Sequence, residues 1–184
     1  MQHTLIALVE DKPGVLNRVA SLFRRRAFNI DSLTVGHTDQ PGISRMTIVM
    51  DSDNVSAERV TAYLYKLVNV VHIEDVTSRP TVTRDLAMIK VAVSPANRTE
   101  IIQLVDVFRA RIVDVANDSL IIEITGDEEK IDGFVDVLRP YGIIEMVRTG
   151  VVSMLRGAVT PSNGNSHQYA TNGNGNGKLV KAFG

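Results

Sequence analysis

The feature that most limits how this chain can fold is an order of apolar segments that occurs twice: strand, helix, strand, strand, helix, strand, in about 78 residues each time. In the first pass Leu5 to Val9 is an apolar strand that runs into Asp11-Lys12-Pro13-Gly14. Beyond that turn Val15, Leu16, Val19, Leu22 and Phe23 recur at helical spacing, with Asn17, Arg18, Ser21, Arg24 and Arg25 opposite. Proline presets its own φ, so Pro13 suits the first helical position and Gly14 is expected inside the helix with negative φ. Phe28 to Thr38 reads as a strand alternating through Ile30, Leu33 and Val35. Asp39-Gln40-Pro41-Gly42 is a turn, after which Met46, Ile48 and Met50 alternate. Ser52-Asp53-Asn54 offers caps for a helix bearing Val60, Leu64 and Leu67, and Val70 to Val76 closes the unit.

Arg79 to Thr83 interrupts the pattern as a linker, and the order restarts with an apolar strand from Leu86 to Val93. Asn97-Arg98-Thr99-Glu100 has the form of a capping box ahead of Ile101, Ile102, Leu104, Val105 and Phe108. Asn117-Asp118 separates two strand segments as a hairpin turn, and Asp127 is placed to cap a helix that stops before Pro140. Ile143 to Leu155 forms the final strand region, bent at Gly150. The expected architecture is α+β: two tandem ferredoxin-like (βαββαβ) domains, residues 1–78 and 84–159, joined by a linker at 79–83. Residues 160–184 are rich in Asn and Gly and are expected to be a disordered, dispensable tail.

Composition narrows function by exclusion. With 20 basic and 21 acidic residues the formal net charge is −1, so the chain has no general attraction to nucleic acid or an anionic membrane. No apolar run reaches the ~18 residues of a membrane span. The absence of cysteine rules out disulfides and thiolate sites and is compatible with a cytoplasmic location. His3, His37, His72 and His167 have no metal-ligand spacing, and no catalytic constellation or phosphate loop stands out.

One constellation invites a ligand. A helix start at Gly14 and Val15 offers backbone N–H groups to an anion. Asn29, polar in an apolar segment, is expected to face the same end of the sheet. A zwitterionic ligand needs donors for its carboxylate, acceptors for its ammonium and an apolar recess. Gly14 and Val15 offer the first, Asp11 and Asn29 the second, and Val15, Ile30 and Val35 the third. On residues alone, simple turn and cap chemistry explains the Asp11–Gly14 stretch equally well.

Asp-x-Pro-Gly-Val-Leu after a strand, followed by Phe28-Asn-Ile-Asp-Ser-Leu, resembles the ACT domain, a ferredoxin-like amino-acid sensor. Phe28 to Gly36, Ser44-Arg-Met-Thr-Ile48, Lys66-Leu-Val68 and Arg148-Thr-Gly-Val-Val-Ser-Met154 resemble the regulatory (small) subunit of acetolactate synthase, from Gln2 to about Gly157. That resemblance implies a non-catalytic subunit that binds a large thiamine-diphosphate enzyme and activates it. It also implies feedback inhibition by a branched-chain amino acid, valine foremost. Thiamine diphosphate, Mg and FAD are then expected in the large subunit and none in this chain. Carried over by position, the effector site is Asp11, Gly14, Val15, Asn29, Ile30 and Val35, divided between the ACT domains of a homodimer. Family members often carry Asn where this chain has Asp11. A carboxylate there favours a ligand ammonium and disfavours its carboxylate. The second domain, with Ser94-Pro95-Ala96-Asn97 at the matching turn, is expected to contact the partner instead of holding a second amino acid.

Overall fold

A computed structural model describes residues 2–51 and 57–157. The tail expected at 160–184 and the cap candidates at 52–54 lie outside the described residues. Each half has the expected order. The first comprises β1 (Gln2–Glu10), α1 (Val15–Arg25), β2 (Ser32–His37), β3 (Ile43–Asp51), α2 (Ala57–Leu64) and β4 (Val70–Asp75). The second comprises β5 (Thr81–Ala92), α3 (Arg98–Val107), β6 (Arg111–Val115), β7 (Ser119–Gly126), α4 (Glu128–Leu138), β8 (Ile143–Arg148) and β9 (Val152–Leu155). The sheets run β2-β3-β1-β4 and β6-β7-β5-β8, with antiparallel neighbours.

The strand period of two sorts each sheet into two faces. On the helix side Leu5, Ala7, Val9, Met46, Ile48 and Met50 pack with Val15, Val19 and Phe23 of α1 and Val60 and Leu64 of α2. The second core repeats this with Ala87, Ile89, Val91, Leu120, Ile122 and Ile124 against Ile101, Val105, Ile131, Phe134 and Leu138. Asp127 caps α4 as expected, accepting from the Lys130 amide at 3.0 Å. Asn97 does not close a capping box. Its Oδ1 accepts from the Ser94 amide (2.6 Å), turning backwards to hold the loop that ends β5.

Thr81 to Thr83, expected in a linker, are strand: β5 extends past its own sheet and its first four residues pair with β9. β8 and β9 follow one another along β5. Between them Thr149, Gly150 and Val151 stand opposite only Asp85 and Leu86, so the chain must turn a corner. Gly150 makes that corner with φ +86°. The corner is held by Asp85, 3% exposed, whose carboxylate accepts from Arg148 Nε (2.7 Å) and Thr149 Oγ1 (3.1 Å).

The corner carries the C-terminal segment onto the first sheet. Ile6, Thr47 and Val49 alternate with core residues and so point away from the helices, yet they are buried. On that face Thr34 Oγ1 donates to Thr149 O (3.4 Å), the Val151 amide donates to Ser32 Oγ (2.9 Å), and Arg45 donates to Ser153 O (2.6 Å). Burial lowers the pKa of Arg45 and of His72, which lies across from Leu8 on β1.

Two outcomes follow from this layer. A Cβ on Gly150 would lie 2.7 Å from Ser32 Oγ and 3.0 Å from Thr34 Oγ1, on a backbone that L residues avoid. Gly150→Ala should therefore cost about 1–3 kcal/mol, read by urea denaturation. For His72 the unfolded chain binds the proton more tightly than the native one. Its contribution to stability is thus fully present above pH 6.5 and is lost as pH falls toward the depressed native value. Denaturation at pH 7.5 and 5.5 should show a smaller acid loss in His72→Gln than in the unaltered chain.

Candidate functional site

The β1–α1 turn leaves its sheet at Glu10, where Asp11 N donates to Gly42 O (2.8 Å) and Lys12 N to Glu10 O (3.0 Å). Gly14 is not within the helix. It is the N-cap residue, left-handed at φ +84°, and α1 begins at Val15, which also puts Pro13 in the turn ahead of the helix. The left-handed step turns the chain sharply from strand to helix, a geometry glycine accepts without strain. No side chain caps α1. The Val15 amide bonds back to Lys12 O at 3.3 Å, so among the described residues the donors left at this end are the Gly14, Leu16 and Asn17 amides. Val15 does not line a recess: its side chain is 4% exposed and belongs to the first core. It anchors the first turn of α1 in that core.

Asp11 meets His37, the last residue of β2, through Nδ1 at 3.3 Å, both side chains being largely exposed. Asn29 and Ile30 are not in the strand, which starts only at Ser32. The Asn29 amide donates to Asp31 Oδ1 (2.8 Å), leaving the Asn29 carbonyl oxygen turned to solvent as an acceptor. Ile30 packs on the first core, whereas Val35 is 42% exposed on the sheet edge.

These residues do not converge within one chain. Register places Ser32 opposite Val49 and His37 opposite Ser44, while Glu10 lies opposite Ile43. Asp11, Gly14 and His37 therefore lie at one end of β2, and Asn29 and Ile30 at the other, about 17 Å away along six strand residues. The expectation that Asn29 faces the same end of the sheet as Gly14 is overturned by strand direction. The site falls into two halves, one bearing donors and a carboxylate, the other an acceptor and apolar surface.

Two stretches of the sequence, one in each half of the chain, match family models. Residues 5–72 match the model of the acetolactate synthase (AHAS) small subunit-like ACT domain, and residues 84–157 that of the small subunit of acetolactate synthase. The chain belongs to the acetolactate synthase small-subunit family. It is 53% identical over 157 residues to a probable acetolactate synthase small subunit of Archaeoglobus fulgidus, covering 85% of this chain and 98% of the relative. It is 52% identical over 155 residues to the acetolactate synthase small subunit of Mycolicibacterium smegmatis, covering 84% and 91%. A crystal structure of the Thermotoga maritima small subunit superposes with a TM-score of 0.81 at 41% identity, covering 86% of this chain and 99% of that one. Members of this family are regulatory subunits, and the name small subunit implies a large catalytic partner.

Several features of the site were invisible in the sequence. The Asp11–His37 pair needed the register of β2. At the end of α1 the exposed Arg26 guanidinium lies 3.9 Å from the Tyr63 ring centre. There Leu22, Arg25, Arg26, Tyr63 and Lys66 line an open recess of about 400 Å³, at the far end of α1 from Gly14. Among the described residues no group of three or more His, Asp or Glu is placed to hold a metal ion, and no helix is long and apolar enough to cross a membrane. The exposed Asp11–His37 pair contributes little to stability. Asp11→Asn should shift the free energy of unfolding by less than about 0.5 kcal/mol, checked by denaturant titration, which makes it a clean probe of ligand recognition.

Proposed function

We propose that this chain binds the large, thiamine-diphosphate-dependent subunit of acetolactate synthase, activates it, and makes it sensitive to feedback by a branched-chain amino acid, valine foremost. In this reading thiamine diphosphate, Mg and FAD belong to the large subunit in the cytoplasm. The chain's own work is to bind the partner and the effector.

The observation that carries the reading is the separation of the two half-sites along β2. Among the described residues β2 is an edge strand, with β3 on one side and no strand on the other. Two copies pairing β2 to β2 antiparallel form a two-fold homodimer, the commonest symmetry for such contacts. That pairing sets the start of one β2 beside the end of the other. Asn29 and Ile30 of one copy then face Asp11 and the helix start at Gly14 and Val15 of its mate, with the exposed Val35 near the middle of the paired strands.

A small zwitterion fits between them. The Leu16 and Asn17 amides receive its carboxylate, aided by the helix dipole. Asp11 and the Asn29 carbonyl accept from its ammonium. Ile30 and Val35 provide apolar contact for a branched side chain of valine size. Asp11 already has His37 as a partner, so the ligand ammonium competes with an imidazole for the same carboxylate.

The deciding experiment titrates this protein into a purified acetolactate synthase large subunit, with and without valine. A rise in activity that valine reverses supports the reading; an unchanged rate overturns it. Gly14→Asp tests the site. Nothing lies within 4 Å of a Cβ at Gly14, so the side chain has room, but the left-handed backbone makes it strained. The cost should be about 1 kcal/mol of stability, since Asp tolerates this region better than most residues. The new carboxylate occupies the helix-start donors and repels the effector's own. The variant should activate the large subunit normally and lose valine inhibition. Normal inhibition by the folded variant would place the effector elsewhere.

A further inference from the structure

We infer that β2 relays the effector state to the second domain through Ser32 and Thr34, which rest on the Thr149–Gly150–Val151 corner. The inference depends on the proposed effector site and names how that site is coupled to the rest of the chain.

β2 is read on both faces. Leu33 and Val35 pair with Ile48 and Met46 and share their helix-side face, where Leu33 packs on the first core. Ser32 and Thr34 point the other way and bond the second domain directly, to the Val151 amide (2.9 Å) and the Thr149 carbonyl (3.4 Å). A strand is a stiff pleated ribbon, so displacement or rotation at Ile30 and Val35 is delivered to the hydroxyls one or two residues away.

The receiving element is equally stiff. Arg148 and Thr149 are fixed to the buried Asp85, and Thr149 N bonds Leu86 O at 3.0 Å. The corner therefore moves with β5, the central strand of the second domain. Gly150 keeps the contact close, because any Cβ would push the two hydroxyls away.

The neighbouring contact behaves differently. Arg45 reaches Ser153 O from β3, which is paired on both sides, whereas β2 is paired on one side among the described residues. Arg45 thus keeps the second domain seated while the β2 contact responds. Ordering of β2 by an amino acid between two copies would tighten or break the Ser32 and Thr34 bonds. That change shifts the second domain, which the sequence reading assigns to partner contact.

The test uses the full chain with Ser32→Ala and Thr34→Val together, which deletes both hydroxyls at little cost in volume. Valine binding is measured by calorimetry on the small subunit alone, and activation and inhibition on the complex with the large subunit. The expected result is a valine Kd within threefold of the unaltered chain, intact activation, and maximal inhibition reduced by at least half. Undiminished inhibition overturns the relay. A Kd weakened tenfold or more overturns it too, since the hydroxyls would then belong to the binding site. Loss of activation in the folded double variant also overturns it, because the contact would be scaffold. Amide hydrogen exchange at Val151 of the unaltered chain gives a readout free of any substitution. Valine should change it several-fold, and an unchanged rate at saturating valine overturns the relay alone. If the unaltered chain binds none of valine, leucine and isoleucine, the effector site fails and the relay with it.

Discussion

The arrangement of this molecule depends on one buried carboxylate. Asp85 sits where β5 leaves its own sheet, and a charge so enclosed is tolerable only with partners fixed around it. Arg148 and Thr149 supply them, and Arg148 is shared with Asp132 of α4 at 2.7 Å. The end of β8 is thereby tied both to the central strand and to the helix layer. With those ties in place the three residues from Thr149 to Val151 cannot flatten against the two they face, and the chain turns at Gly150. The first sheet's open face, with Ile6, Thr47 and Val49, is covered as a consequence of that turn.

β5 and β9 together make the two halves one structure. A ferredoxin-like sheet with helices on one side leaves its other side to water or to a partner. Here Ser153, 4% exposed, shares a hydrogen bond with Thr83 at 3.1 Å while its carbonyl takes Arg45 from the first sheet. The ribbon is thus sequence from the second domain spent on the first. The polar residues of β2 make sense in the same terms. Ser32 and Thr34 would be ordinary solvent-facing strand residues in an isolated domain, yet each bonds main chain more than a hundred positions away.

Much of this was legible before any coordinates. The order of elements, the Asp127 cap and the hairpin at Asn117-Asp118 are set by neighbours within a few residues, and periodicity exposes them. The bend at Gly150 was legible from its glycine, although distant Asp85 and β5 hold it. The misses share a cause. Gly14 was expected in a helix because Pro13 precedes it, but a chain leaving a strand must reverse before the helix can start, and that step took a left-handed residue. Asn97 has the composition of a capping box, while its side chain is used by the loop behind it. Thr81 to Thr83 look like a linker until β9, some seventy residues later, supplies the pairing. Asn29 stands near Gly14 in sequence and in motif, and strand direction sends it to the opposite end. Local chemistry fixes what each segment is; register and distant pairing fix where its side chains end up.

The division of the candidate site has a thermodynamic meaning for a regulatory subunit. Each half alone offers a zwitterion only part of its needs: donors and a carboxylate at Asp11 to Asn17, an acceptor and apolar surface at Asn29 to Val35. A ligand held by both halves binds the pair of copies better than either copy, so effector binding and association favour each other by the same free energy. Coupling of this kind is typically worth ~1–3 kcal/mol, enough to change an equilibrium five- to 150-fold. In the proposed dimer it acts on the relative position of the two β2 strands, an element that also contacts the second domain. A self-contained pocket inside one domain could bind valine as tightly and shift nothing, because affinity without a difference between two states moves no equilibrium. Splitting the ligand's partners between the ends of an edge strand builds that difference into the geometry.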